Sequence, residues 1–185
     1  MNIPQPENGV YYQGRPGWLT DDWLTALQSE ASVQRPDARL LSRQFHVAAG
    51  TGGAGLARSA EMLGLIAQHA VPVIANGPAN YLYYERPGDG IDPHVDSHDF
   101  DLNALVLLAH SWQGARASRL VLFPYGPQRQ QEFWLRPGEL VLFRATGVIH
   151  ARSGVAEGET VCNLGIGYQP QAALPPADFW RPARR

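Results

Sequence analysis

Residues 91–98 read Ile91-Asp92-Pro93-His94-Val95-Asp96-Ser97-His98. Just before them, Tyr81 to Arg86 is rich in strand-forming aromatics and Pro87-Gly88-Asp89-Gly90 is turn chemistry, so the chain enters this stretch extended. Side chains of an extended chain alternate between faces, and His94 and Asp96 therefore project to the same side. An imidazole and a carboxylate converging on one point supply two ligands of a metal site. A third comes from a distant segment. His150 is the best candidate, following the apolar run Glu139-Leu140-Val141-Leu142-Phe143-Arg144 and a turn at Gly147. Two histidines and one carboxylate on one face leave coordination positions free for other molecules. From these residues alone a structural reading stays open, since an H-x-D pair arises readily by chance and a histidine after a strand is often simply hydrogen-bonded. His98 is either a rival ligand or a residue at the mouth of the site. His46, His69 and His110 lack ligand spacing and read as structural.

Outward from this stretch the chain has two characters. From Tyr81 onward short apolar runs alternate with turns, and strands are expected at 81–86, 102–109, 119–123, 131–135, 139–144, 148–152 and 160–168. Gly165 and Gly167 in the last of these suggest close packing or a bulge. So many strands at that spacing argue for a sandwich, jelly roll or small barrel. Residues 1–80 read as a helical support region. One helix is expected over about 20–31, with Thr20 as its cap and Asp21 and Asp22 at its positive end. Leu56, Ala60, Leu63 and Ala67 recur at helical spacing and place a second over about 54–69. The expected organisation is a single domain over 1–185, with a core at 81–170 and a tail at 171–185.

Composition narrows the chemistry. The chain has 185 residues, 44% hydrophobic and 17% charged, a globular balance that excludes wholesale disorder. A formal net charge of -2 carries no basic footprint for nucleic acid. Cys162 is the single cysteine, so an internal disulfide and a cysteine-built zinc site are both excluded. No apolar run approaches the ~20 residues of a membrane span, and the stretch Met1 to Gly9 is polar and unlike a secretory signal; the expectation is a cytoplasmic protein with no membrane partner. All 15 basic residues are arginines. Lysine Schiff-base chemistry and a P-loop lysine are thereby excluded, and any carboxylate clamp must be built from arginine, hydroxyls or backbone.

The run Tyr84-Glu85-Arg86-Pro87-Gly88-Asp89-Gly90-Ile91-Asp92-Pro93-His94-Val95-Asp96 resembles the lead-in to the first half-site of the Fe(II)/2-oxoglutarate-dependent dioxygenases. Within that family it looks most like the prolyl-hydroxylase-like branch, where a strand and a Pro-Gly turn run into H-x-D. Leu135-Arg136-Pro137-Gly138-Glu139-Leu140-Val141-Leu142-Phe143, followed by His150, resembles the second half-site. The resemblance spans Tyr81 to Tyr168. It implies a mainly β chain with N-terminal helices packed on the major sheet of a double-stranded β-helix (jelly roll, cupin-like). It implies Fe(II) held by His94, Asp96 and His150, and 2-oxoglutarate as co-substrate. That co-substrate would be decarboxylated to succinate and CO2 with dioxygen, while a small molecule or peptide is oxidised. Asp96 supplies the carboxylate that halogenating members usually replace by a small residue, so hydroxylation or a related oxidation is favoured.

One departure stands out. Family members usually place an Arg or Lys about one strand beyond the distal histidine, to hold the far carboxylate of 2-oxoglutarate. Here that neighbourhood reads Ala156-Glu157-Gly158-Glu159-Thr160-Val161, and no basic residue occurs between Arg152 and Arg181. Arg152, two residues after His150, is the first replacement candidate and Arg119 the second, with Tyr83 or Tyr84 and Thr160 as further hydrogen-bonding groups. Asn103 and Asn163 are candidate inward polar residues, Trp112 and Trp134 read as packing, and Cys162 as a buried strand residue. The departure also feeds two other readings: an Fe(II) oxidase or oxygenase on the same fold that does not use 2-oxoglutarate, and a non-catalytic cupin-like binding module.

Overall fold

The longest apolar run of the chain becomes the centre of its larger sheet. The computed structural model describes residues 3, 6, 8–41, 44–126 and 128–171; the expected tail, residue 171 apart, and most of the first seven residues lie outside them. Strand β7 (Leu102–Trp112) is flanked by β10 (Leu140–Arg144) and β12 (Glu159–Pro170). The sheet grows outward on one side to β1 (Val10–Gly14), and on the other through β5 (Ala79–Tyr84) and β3 (Phe45–Ala49) to β2 (Arg39–Leu41). A two-residue β4 (Val73–Ile74) pairs with the end of β12. A second sheet has the order β6 (Ile91–His94), β11 (Ile149–Arg152), β8 (Leu120–Phe123), β9 (Gln131–Phe133). Every pairing is antiparallel.

The period of two decides which side chains meet. On β7, Leu102, Ala104, Val106 and Leu108 face the helices, whereas Leu105 and Leu107 face the small sheet and pack with Leu120, Leu122 and Phe133. Helix α1 (Asp21–Gln34) turns Leu24, Leu27 and Ala31 onto the large sheet. Helices α2 (Thr51–Arg58) and α3 (Ala60–His69) add Leu56, Ala57, Met62 and Ile66. Each large aliphatic side chain buried this way contributes roughly 1.5–3 kcal/mol. No helix among the described residues is long and apolar enough to cross a membrane.

Two expectations need correction. The single helix over 54–69 is two helices, broken at Ser59, which sits in extended backbone (φ -64°, ψ 146°) and caps α3 by accepting from the Met62 N–H at 3.2 Å. A serine hydroxyl that replaces a helical hydrogen bond is a start signal, and apolar periodicity alone runs through it. The region before residue 80 is also not purely helical: it supplies β1 to β4, three of which extend the large sheet's path. Helix α1 begins as expected, with the Thr20 hydroxyl accepting from the Trp23 N–H.

One carboxylate ties the helical layer together. The α2 N-cap is Gly50, which has no side chain to cap with. Glu30 of α1 does so instead, accepting from the N–H groups of Gly52 (2.9 Å) and Gly53 (3.1 Å), from the Thr51 hydroxyl (3.0 Å) and from the Tyr81 hydroxyl of β5. Glycine is required at residue 50 because a Cβ there would stand 2.5 Å from Glu30 Oε2. Partial burial works against the Glu30 charge, but these hydrogen bonds outweigh it and hold its pKa at about 2. The folded pKa is below the unfolded one, so the stabilisation is complete above the ordinary carboxylate pKa and disappears as pH falls toward 2. Glu30→Gln is expected to cost about 1–2 kcal/mol in urea unfolding at pH 7, and the gap between variant and parent should narrow between pH 4.5 and 2. An unchanged gap at the acid end would contradict the assignment.

Candidate metal centre

The two half-sites meet because β6 and β11 are neighbours in the small sheet and their register sets His150 directly opposite His94. The imidazole rings are 4.2 Å apart between centroids. Asp96 follows β6, and its backbone N–H donates to Ala145 O at 3.0 Å, on the turn that leads into β11. That turn is tied back a second time, since the Ala145 N–H donates to Asp101 O and the Thr146 hydroxyl to Asp101 Oδ1, both at 2.8 Å. Asp96 Oδ1 then lies 3.4 Å from His94 Nε2 and 3.6 Å from His150 Nε2. One donor atom from each of the three residues falls within 4.8 Å of the other two.

These donors fit a divalent ion. Cis ligands bound at ~2.1 Å are ~3 Å apart, slightly closer than observed, a difference that small side-chain rotations absorb. The tautomers are also set. His94 Nδ1 faces Asp92 O at 2.8 Å and His150 Nδ1 faces Val148 O at 3.1 Å. Each Nδ1–H thus donates to a backbone carbonyl and leaves the Nε2 lone pair for the centre. Phe143 packs edge-on against His150, 4.8 Å between centroids, and limits its rotation. Burial disfavours a charged Asp96, but its interactions with His150, His94 and the Asn103 amide outweigh this and hold the carboxyl far below the ordinary range. A carboxyl held toward its ionised form is what a metal ligand requires.

Asn103 has a more definite place than an inward polar residue. Its Nδ2 donates to Asp96 Oδ2 at 3.1 Å, fixing the oxygen that faces away from the histidines and leaving Oδ1 as the single donor atom toward the centre. Asn103 Oδ1 is buried with no partner among the described residues. An amide whose acceptor is unmet costs about 1–3 kcal/mol, so its contact with Asp96, not stability, accounts for it.

The centre opens into a cavity of ≈ 480 Å³ between the sheets, lined also by Tyr84 and Arg152. Arg152 is only 6% exposed. With the Asn163 amide oxygen turned toward it, Arg152 donates to that oxygen from Nε (3.2 Å) and Nη2 (2.9 Å), and from Nη1 to Ser118 Oγ at 3.2 Å. Its guanidinium lies over the Tyr84 ring, 5.2 Å from the centroid. Among the described residues no carboxylate forms an ion pair with it. Burial pushes its pKa downward.

The other sequence candidates lie elsewhere. Tyr83 faces the helices, its hydroxyl donating to Ala31 O at 2.8 Å. It is Tyr84, one residue on, that has the inward phase. Thr160 is exposed and meets Ser111. Arg119 lies outside the cavity, on Glu132 at 2.7 Å and over Trp134 at 5.1 Å, because Leu120 takes the inward position of β8. His98 is exposed and not among the three converging residues. His110 is held by Glu159 at 2.6 Å, and Trp112 and Trp134 flank Arg116 at the surface. Cys162 is half-buried on the helix-facing side of β12. Ser118 was missed, and its only sequence signal is a hydroxyl just ahead of a strand.

No family model and no curated protein matches the chain. Among solved structures it is similar to the non-heme α-ketoglutarate-dependent epimerase SnoN of nogalamycin biosynthesis, with TM-score 0.72 and 15% identity, covering 88% of this chain and 78% of that one. It is similar to a Pseudomonas putida prolyl-4-hydroxylase, with TM-score 0.67 and 17% identity, covering 90% and 95%. A 2OG-Fe(II) oxygenase family oxidoreductase from Burkholderia pseudomallei gives TM-score 0.67 and 14% identity, covering 88% and 85%. SnoN has also been solved with Fe3+, α-ketoglutarate and nogalamycin RO. The chain thus has the jelly-roll fold of the 2-oxoglutarate/Fe(II) oxygenases, the fold that its two half-site motifs implied.

The geometry at Asn103 generates a test. Asn103→Leu is expected to weaken Co(II) binding, followed by its visible absorption, on the order of 10–100-fold. The melting temperature of the metal-free variant should hold or rise. A variant that melts lower yet binds Co(II) as the parent does would make Asn103 a structural residue.

Proposed function

We propose that the chain is a non-heme Fe(II)- and 2-oxoglutarate-dependent oxygenase that hydroxylates, or otherwise oxidises, a small molecule or peptide. The observation that carries the reading is the shared cavity of the His94, Asp96 and His150 cluster and the buried, ion-pair-free Arg152. A guanidinium has five N–H donors. Asn163 and Ser118 take three of those on Arg152 and the Tyr84 hydroxyl lies beside it, so a carboxylate entering here would meet the remaining guanidinium donors. An unpaired buried charge is costly, and an anion held at the end of the cavity removes that cost. His150 and Arg152 are two residues apart on β11, so their Cα atoms are separated by about 6.8 Å. That spacing suits a short dicarboxylate bridging a metal and a cation.

In this reading His94, Asp96 and His150 hold the iron. The bound metal with its 2-oxo acid supplies the oxidising equivalent from dioxygen. The chain's own residues do the rest. The two Nδ1–H bonds fix the imidazoles, and Asn103 keeps Asp96 on one oxygen, so that positions on the open face stay free. Arg152, Asn163 and Ser118 orient the co-substrate, and the apolar walls keep water out. A carboxylate at Asp96 occupies the place that a halide would need, which favours hydroxylation or a related oxidation. The reading without 2-oxoglutarate drew on the lack of a basic residue beyond the distal histidine, and Arg152 offers a cation from a different strand.

Anaerobic titration with Fe(II) and 2-oxoglutarate tests this. A visible charge-transfer band should appear only when both are present. In Arg152→Ala it should need a concentration of 2-oxoglutarate higher by the equivalent of ~2–5 kcal/mol, with Fe(II) affinity retained. If Fe(II) binds and no band forms, the oxygenase that does not use 2-oxoglutarate becomes the better reading. If Fe(II) does not bind, the binding module does.

A further inference from the structure

We infer that the prime substrate is an uncharged, predominantly apolar molecule bearing one amide or hydroxyl group, and that Asn80 and Gly165 select it; this rests on the oxygenase reading above. The cavity has the volume of a site for a drug-sized ligand, ≈ 480 Å³, more than a five-carbon dicarboxylate at Arg152 fills. Beyond the metal residues the walls are Leu41, Phe45, Leu82, Ile91, Phe100 and Leu105. The charged groups on the lining are the metal residues, Arg152 and Asp92. Asp92 and Gln44 are closed on each other, with the Gln44 amide donating to Asp92 Oδ2 at 2.9 Å and the Asp92 N–H donating to Gln44 Oε1 at 3.0 Å. Once metal and co-substrate have taken the triad and Arg152, no cation among the described residues of the lining remains for an anionic substrate. Desolvating a carboxylate without a partner is far costlier than desolvating a neutral amide. Arg58 lies outside, in a separate hollow that shares only Pro78 and Asn80 with the cavity.

Apart from Asn103, whose amide is committed to Asp96 through Nδ2, the polar side chain of the wall best placed to recognise a neutral group is Asn80. Asn80 has the same phase on β5 as Leu82 and Tyr84, faces inward and is half-buried, and no side-chain hydrogen bond engages its amide among the described residues. Its cross-strand neighbour on β12 is Gly165, which places no side chain beside that amide. The next inward position, Gly167, is a glycine for a different reason: a Cβ there would stand 2.6 Å from the Phe100 ring. At Gly165 a Cβ would meet only the tips of Leu82 and Leu105, at 3.3 and 3.8 Å. Packing alone therefore tolerates a small side chain at residue 165, and the glycine leaves space in front of Asn80 that a ligand can enter.

The experiment uses the anaerobic Fe(II)·2-oxoglutarate complex of the full chain, whose charge-transfer band shifts when a molecule enters beside the metal. The probes are matched sets: cyclohexanecarboxamide, cyclohexanecarboxylate and cyclohexylamine, then indole-3-acetamide and indole-3-acetate. The amides should shift the band at concentrations at least tenfold below the acids and the amine. Asn80→Leu should raise the amide concentration needed by a further tenfold or so, and Gly165→Val should abolish the shift, while the band itself reports that metal and co-substrate still bind. Absence of the band in the parent protein would overturn the oxygenase reading, and this inference with it. A parent band that shifts with the acids or the amine as readily as with the amides, or with none of the probes, would overturn the substrate class alone. Amide shifts unaffected by Asn80→Leu and Gly165→Val would overturn the assignment of those two residues.

Discussion

The antiparallel pairing of β6 with β11 is the contact on which the site depends. It places His150 opposite His94 and sends Asp96 and Arg152 off opposite ends of the same two strands. A one-residue slip would turn His150 to the outer face, where Ile149 now stands 41% exposed. The apolar alternation of the small sheet opposes that slip, because Leu120 and Leu122 of β8 must stay against the large sheet. The ties from Asp101 to residues 145 and 146 hold the two strand ends together beyond the ladder. Hydrophobic patterning thus specifies the register, and the register assembles the donors.

At the other end of the cavity the chain inverts an arrangement that its half-site motifs lead one to expect. On β12, where a cation is usual, the inward residue is Glu159, fully buried. Its carboxylate accepts from the N–H groups of Ala117, Ser118 and Ala156 and meets His110 Nε2 at 2.6 Å. Burial opposes its charge, but these hydrogen bonds prevail and keep its pKa low. Glu159 thereby anchors the segment that presents Ser118, and Ser118 bonds Arg152. The buried cation stands on β11 and a buried anion on β12, the reverse of the order that the half-site motifs imply. Reversing only one of the two would leave a buried charge without its partners, a change of several kcal/mol.

The sequence made some of this legible and concealed the rest for identifiable reasons. H-x-D on an extended chain needs no tertiary knowledge, because residues two apart share a face. The turn and apolar run before residue 150 pointed to the second half-site for the same local reason. Phase was harder. Tyr83 and Tyr84 are indistinguishable until it is known which face of β5 meets the helices. Arg119 was misplaced by a single residue of phase on β8. The inward turn of Asn163 follows the same alternation as Val161 and Gly165 on β12, and what the sequence did not report is that it meets Arg152. Strands β1 to β4 are short or lie toward the edge of the sheet, with residues 39–41 all exposed, so they carry little of the hydrophobic signal that marks a strand.

The charges of the cavity bear on what it can hold. In a low-dielectric space an uncompensated charge is felt far more strongly than at a surface. The ligand set carries one negative charge at Asp96, since both histidines are neutral when their Nε2 atoms ligate. A divalent ion turns this to a net charge of one positive, and Arg152 adds a second at the other end. A dianion spanning the two ends neutralises both, with one of its charges at each. A monoanion leaves one end uncompensated, and a neutral molecule leaves both. After a dianion has bound, the rest of the wall presents leucine, phenylalanine, glycine and the amides of Asn80 and Asn103, and among the described residues a further buried charge would find no ionic partner. The same balance that favours a dicarboxylate co-substrate therefore favours a neutral second molecule, and both preferences trace to one buried arginine two residues beyond the distal histidine.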